Sequence, residues 1–406
     1  MSSLGAGREA YLDHAATTPM HPLALEAMAR ELTRTGNPSS LHAAGRAARR
    51  VVEESRERIA AALGADPGEV LLTSGGTEAD NLAVKGIAWA RRRADPAARR
   101  LLVSAVEHHA VLDPARWLVE HEGASLVELP VDRDGVLALG GLARALDADD
   151  AEGAPALVSV MWANNETGAV QPVRGVVGLA HERGVPVHVD AVQSVGTLRV
   201  DLQQVAADAV SVSAHKVGGP VGIGALVARR GLALEPVLHG GGHERGVRSG
   251  TLPAAAAAGF AAALEAAVAS REAEARRLEG LCERLVEGVR ATVPDAVLQG
   301  PRIGAAGEDG GPARLPGIAL WTFPGCDGDS LIYLLDTAGV RCSTGAACTA
   351  GVAQPSHVLL ASGLGEEQAR GALRLSLGRT STEADVDHVL AVLPDAVARA
   401  RRAGLA

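Results

Sequence analysis

Aromatic side chains are nearly absent from this 406-residue sequence: Phe, Trp and Tyr together make up 2%. A core without rings has to be filled by Ala, Val and Leu, with glycine allowing close approach. Hydrophobic residues reach 47%, so the material for a large core is present. Cysteine is also scarce. Cys282, Cys326, Cys342 and Cys348 are too few in a chain this long to form a disulfide framework. No apolar run approaches the roughly 18–20 residues needed to cross a bilayer, and the alanine-rich stretch at 253–268 is too short and too weakly apolar. The opening MSSLGAGREA holds no apolar signal core, so a cytoplasmic protein with no membrane contact is expected. The net charge of -9 is modest and argues against nucleic acid as a direct partner. The short arginine clusters at 91–100 and 399–402 read as solvated helix ends.

What is present has a regular rhythm. Residues 47–63 carry apolar positions at helical spacing, and Gly64 follows as a stop. Strand-length apolar runs then recur at Val70–Thr73, Leu101–Ser104, Ala156–Met161, Val185–Val189 and Ala209–Ser213, most of them separated by helix-like stretches. This pattern predicts an α/β domain with a mostly parallel sheet, in which ligands sit beyond the carboxyl ends of the strands. The texture changes at about 255–262. A long Ala/Glu/Arg-rich helix is expected to about 292, then a Gly/Pro-rich loop at 299–317, then a smaller α+β domain. The 303–314 stretch reads as a mobile surface loop.

The polar motifs fall at the predicted strand ends. Ala207–Lys216 (ADAVSVSAHK) runs a buried strand into Lys216, with Ser213 and His215 placed to donate to a phosphate. A lysine forms a Schiff base with an aldehyde only when its amine can lose a proton, and a crevice at a strand end favours that. A lone lysine is more often a surface residue, so the neighbouring motifs decide. VPVHVDAVQS sets Asp190 at the end of another buried strand, where a carboxylate needs a cationic partner. A protonated pyridine nitrogen meets that need, and pyridoxal 5'-phosphate (PLP) requires such an acid to keep its ring an electron sink. Gln193, three residues on, can donate to the ring phenolate oxygen; a helix N-cap is the alternative role for Asp190. LLTSGGTEADN joins strand, glycine turn and helix, so that Gly76 and Thr77 meet an anion at a helix N-terminus.

VSAVEHHAV delivers Glu107, His108 and His109 at a strand end; one histidine can lie over a cofactor ring, and metal binding is the rival reading. SVMWANNETG places Asn165 for a carboxylate or ring oxygen, with Asn164 and Glu166 serving the turn. HGGGHERGVRSGTLP is too rich in glycine for a helix or strand and reads as a shaped loop ending at Thr251. VRCSTGAACTAG reads, from its glycines and small side chains, as a flexible, polar loop that suits a reactive thiol at Cys348. In ALRLSLGRT, Arg374 either points inward to meet a carboxylate or lies on the sheet surface.

Taken together, in this order and over nearly the whole chain, YLDHAATTP, GNPSSLHAAGR, TSGGTEADNLAVKG, EHHAV, NNETG, HVDAVQSVG, SAHK, GGGHERGVRSGTLP and LRLSLGRTST resemble the cysteine desulfurases of PLP fold type I. The resemblance implies a seven-stranded-type sheet flanked by helices in a large domain at 25–258. A small domain, formed by 1–24 and 259–406, carries the cysteine loop. It makes Lys216 the Schiff-base lysine, pairs Asp190 with the pyridine nitrogen and Gln193 with the phenolate, and stacks His108 on the ring. Thr77, Ser213, His215 and the backbone of Gly76 become phosphate ligands. Asn165 and Arg374 become the clamp for the substrate carboxylate. Thr251 reaches the phosphate of the partner subunit, which implies a homodimer with shared sites. The loop form resembles the group serving general and nitrogenase-associated iron–sulfur assembly.

On this resemblance L-cysteine is the substrate, Lys216 shuttles the Cα proton, and Cys348 attacks the substrate sulfur, leaving alanine and a persulfide. A protein acceptor, an iron–sulfur scaffold or a thiolation enzyme, then takes the sulfur. Two features depart from many relatives. Cys342 lies six residues before Cys348, as either a second, resolving thiol or a small buried residue. Relatives that serve the housekeeping scaffold often carry a longer docking tail than the segment ending at Ala406, so that particular partner is not expected. The alternatives are a selenocysteine lyase, a desulfurase dedicated to tRNA or DNA thiolation, an aminotransferase, and a PLP-free sulfur carrier or scaffold protein. Cys348→Ser separates them: desulfuration predicts lost sulfide release with retained cofactor, whereas an aminotransferase keeps its activity.

Overall fold

The structure, a computed structural model, describes residues 9–148, 153–345 and 354–404. After the short strand Ala10–Tyr11 (β1) come two helices, Pro22–Leu32 (α1) and Ala43–Leu63 (α2). The stop expected after 63 is there: Gly64 takes φ 67°, and its N–H reaches back to the Ala60 carbonyl. Strands and helices then alternate as Val70–Thr73 (β2), Gly76–Ala94 (α3), Ala98–Ser104 (β3), His109–Glu122 (α4), Ser125–Leu129 (β4) and Leu139–Asp147 (α5). Ala154–Met161 (β5), Val173–His181 (α6), Val187–Asp190 (β6), Leu202–Val205 (α7), Ala209–Ser213 (β7) and Gly224–Ala228 (β8) complete the series.

These strands form one seven-stranded sheet in the order β2-β8-β7-β6-β5-β3-β4. Only β8 runs against its neighbours, β2 and β7; the other pairings are parallel. A parallel sheet covered on both faces needs strands apolar on both sides, and β2, β5, β6 and β7 are buried along most of their length. The polar residues that follow β2, β3, β5, β6 and β7 are therefore gathered along one edge.

The long helix Ala254–Thr292 (α8) belongs to two cores. Its first half sends Phe260, Ala261 and Leu264 into the core of the large sheet. Its second half sends Leu278, Cys282, Leu285 and Val289 into another core, with Trp321 and Phe323 at its centre. That second core draws on Val297–Gln299 (β9), Ile318–Thr322 (β10), Gly328–Thr337 (α9) and Val340–Arg341 (β11); His357–Ala361 (α10) and Glu366–Arg370 (α11) pack in a smaller cluster around Leu359 and Ala369, and Ala372–Ser376 (β12) and Glu383–Gly404 (α12) complete the second core. β12, β10 and β9 form an antiparallel sheet, while β11 pairs in parallel with β1 and ties the N-terminal segment to this core.

The 299–317 segment has more structure than its composition suggests. Ala306 pairs with Pro312, and buried Arg314 donates to the carbonyls of Gln299, Pro301 and Ile318. One guanidinium thus satisfies three turn carbonyls, which glycine and proline content does not reveal.

Candidate active site

Five strand ends of the large sheet and the start of the small one enclose a cavity of about 310 Å³. Gly76, Thr77, His108, Asn165, Asp190, Gln193, Ser213, His215, Lys216 and Arg374 all line it. Thr251 is exposed and does not line it. Cys348 lies outside the described residues, between Gly345, which does line the cavity, and Ser356.

Lys216 follows β7 on a 3-10 turn, and its Nζ donates to the Ala15 carbonyl. Burial, and then the nearby Arg374 charge, bring its pKa down to about 8, against the pull of Asp190 and Asp13. The sequence has one other lysine, Lys85, which stands over the Trp117 ring, 3.9 Å from its centroid, outside this cavity. Asp190 closes β6. One of its oxygens accepts from Val192 N at 2.8 Å, and burial, then Asp80, raise its pKa to about 7. Ser213 Oγ and Gln193 Oε1 are buried without a hydrogen-bond partner.

The cradle at the start of α3 has no side-chain cap. A Cβ on Gly76 would come within 2.7 Å of Val192 Cγ2, so only glycine lets the backbone N–H groups stand open there. Across the cavity, His108 caps α4: its Nδ1 accepts from Ala110 N at 3.0 Å, which leaves the proton of the neutral ring on Nε2. Burial, then Lys216, hold its pKa at about 4. His109 turns away, with its ring 5.0 Å from that of His357. Glu107 is buried and accepts from Met161 N. Asn164 serves the turn, accepting from Glu166 N and Thr167 N at 2.9 and 2.8 Å.

Arg374 points inward from β12. It donates to the Asn165 carbonyl at 2.9 Å and to Asp13 Oδ1 at 2.8 Å, while its Nε has no acceptor. Cys342 is close by, but burial and Asp13 push its thiol up to about 12, which favours the small buried residue over the resolving thiol. The sequence reading missed Ala15, Ala16, Asp80, Ser343 and Gly345, all of which line the cavity. Asp80 lies on α3 one turn after Thr77, a spacing that was legible; the others arrive only through tertiary packing.

A family model for the class-V aminotransferases matches residues 10–389. The chain belongs to the class-V aminotransferases, within the cysteine desulfurase family. It is 56% identical over 397 residues, 98% of each chain, to an IscS-like cysteine desulfurase of Mycobacterium tuberculosis. It is 39% identical to cysteine desulfurase IscS of Clostridium botulinum, over 97% of this chain and 96% of that one. Among solved structures it superposes on a NifS-like protein with a TM-score of 0.85 and 34% identity, over 97% of this chain and all of the other. Enzymes of this family depend on PLP, and the residues here fit it. Ser213 presents an unpaired buried hydroxyl able to donate to a phosphate, and Asp190 is a buried acid that gains from a cation. Gly76 and Thr77, at the helix start without a side-chain cap, face the same cavity. No group of side chains among the described residues could hold a metal, and none of their helices is long and apolar enough to cross a membrane.

A depressed lysine pKa enlarges the reactive, neutral fraction at physiological pH. In protein stripped of cofactor, the rate of condensation of Lys216 with added PLP, followed by absorbance against pH, should rise through a midpoint near 8. A midpoint near the ordinary 10.5 contradicts the desolvated setting.

Proposed function

We propose that this cavity holds PLP and L-cysteine side by side and moves the substrate sulfur onto Cys348, leaving alanine. The observation that carries this reading is the meeting, in one cavity, of Lys216, an amine whose pKa burial brings down to about 8, with Arg374, a buried guanidinium whose Nε is unpaired. When bound, PLP supplies an electron sink for charge that develops at the substrate Cα. Asp190 would pair with its ring nitrogen, Gln193 with its phenolate oxygen, and His108 with its ring face. Thr77, Ser213 and His215, with the Gly76 backbone, would hold its phosphate.

Arg374 and Asn165 take the substrate carboxylate, the arginine through the fork that suits it. Lys216 in its neutral form takes the Cα proton and returns it. The Cys348 thiolate attacks the substrate sulfur, so that an S–S bond forms as the C–S bond breaks. The bonding pair stays with carbon, which is protonated as alanine leaves, and the persulfide remains on Cys348. No outside oxidant is required. The sequence leaves open a proton-passing role for His108 and help with the Cys348 thiolate; its pKa of about 4 and its engaged Nδ1 argue against both and leave it the ring face.

The persulfide passes to a protein acceptor, an iron–sulfur scaffold or a thiolation enzyme. A homodimer is part of the reading: Thr251 is exposed, and Leu23, Leu25, Leu41, Val221 and Leu238 leave large apolar side chains in solvent. A cytoplasmic setting accords with the free thiols of Cys282, Cys326 and Cys342. The division between large and small domains falls on α8, which serves both cores. A PLP-free sulfur carrier has no use for a buried Asp190 beside Lys216.

Two substitutions test the assignments. Arg374→Gln should raise the KM for L-cysteine by roughly thirtyfold or more, since truncating a buried charge partner costs about 2–5 kcal/mol; an unchanged KM removes Arg374 from the clamp. Thr251→Ala should weaken PLP binding although Thr251 does not line its own chain's cavity. Unchanged affinity by equilibrium dialysis contradicts the shared site.

A further inference from the structure

The glycine-rich 239–251 loop is held in an expensive conformation. Glu244 and Arg245 are consecutive non-glycine residues with φ of 47° and 58°, in the left-handed region. Such residues are strained and persist only where their surroundings hold them. Two of the holding contacts lead to one place. The Glu244 carboxylate, with its side chain 0% exposed, accepts from Arg56 Nη1 and Nη2 at 2.8 Å each and from Leu72 N of β2 at 2.7 Å. Four residues on, Arg248 Nε donates to Glu78 Oε1 at 2.8 Å, and Glu78 Oε2 accepts from Ser74 N at 2.7 Å. One carboxylate comes from the loop to the strand, the other from the helix to the loop. Their backbone partners, Leu72 and Ser74, lie either side of Thr73, directly before the Gly76–Thr77 turn.

We propose that Glu244 and the Arg248–Glu78 pair are positioning residues for the cofactor phosphate: the loop clamps the segment before the anion cradle from two sides and fixes where its N–H groups point. This rests on the assignment of Gly76 and Thr77 to the phosphate. Electrostatics alone makes the opposite forecast for Glu78. A carboxylate one residue from Thr77 repels a phosphate, so removing its charge would tighten binding. The clamp makes Glu78 helpful, because its carboxylate holds Ser74 N and Arg248 at once.

The test compares PLP with pyridoxal, which offers the same aldehyde to Lys216 and lacks the phosphate. Protein freed of cofactor by a competing hydrazine is titrated with each, and binding is followed by Schiff-base absorbance. In Arg248→Met, PLP binding should weaken roughly tenfold while pyridoxal binding holds within about twofold, as expected for loss of a charge-assisted contact on the phosphate side only. In Glu78→Gln, a near-isosteric change that leaves packing intact, PLP binding should also weaken, by about threefold or more. Equal or tighter PLP binding in Glu78→Gln overturns the proposal, as does parallel loss of both ligands in Arg248→Met. Failure of the unsubstituted protein to bind PLP more tightly than pyridoxal would instead overturn the phosphate assignment on which the proposal rests.

Discussion

A guanidinium buried inside a β-strand has to be answered by acceptors, because a charge taken out of water and left unpaired is among the costliest features a fold can carry. Arg374 is 3% exposed, and its acceptors come from distant parts of the chain. Asp13 follows β1, Asn165 follows β5, and the Arg374 backbone itself pairs with Ser343, beside the segment that bears Cys348. Meeting this one charge brings the N-terminal segment, the large sheet and the small sheet to a common point. The same charge helps to hold the Lys216 amine near neutrality. A structural requirement and a chemical one are thus met by one interaction, and the unpaired Nε leaves room for one more carboxylate.

The large sheet supplies the rest by geometry. Parallel strands expose their carboxyl ends along one edge, so residues far apart in sequence, such as Thr77, Asp190 and Lys216, face one another without any local motif joining them. Burial then sets the chemistry. It lowers Lys216, His108 and His215 and raises Asp190, disfavouring the charged form of each. The strained loop at 244–245 belongs to the same design: two carboxylates facing the β2–α3 turn offset its cost.

Much of this was legible in the sequence where a short apolar run breaks into polar residues. β2 and β7 have the bounds that their runs predict, and Asp190 and Lys216 stand out because each ends such a run. Period-two patterning could not say whether Arg374 faces in or out, since β12 is apolar on both sides; tertiary contact with Asp13 decides it. The loop at 239–251 was readable as a shape from its glycines, but the partners of Glu244 and Arg248 lie about 170 residues earlier and leave no local trace. Cys342 could be a thiol of either kind until Asp13 and Asp336 are placed near it. Arg314 likewise read as part of a surface loop because its three carbonyl partners are set by folding alone.

The account stands or falls on where the sulfur goes when Lys216 and Arg374 act together. The most direct measurement is a single turnover of the PLP-loaded protein with one equivalent of L-cysteine and no acceptor, quantifying alanine and enzyme-bound persulfide in the same sample. The account predicts equal amounts of the two, with the persulfide mapped to Cys348. Alanine absent, or formed without a matching persulfide on that residue, would contradict it.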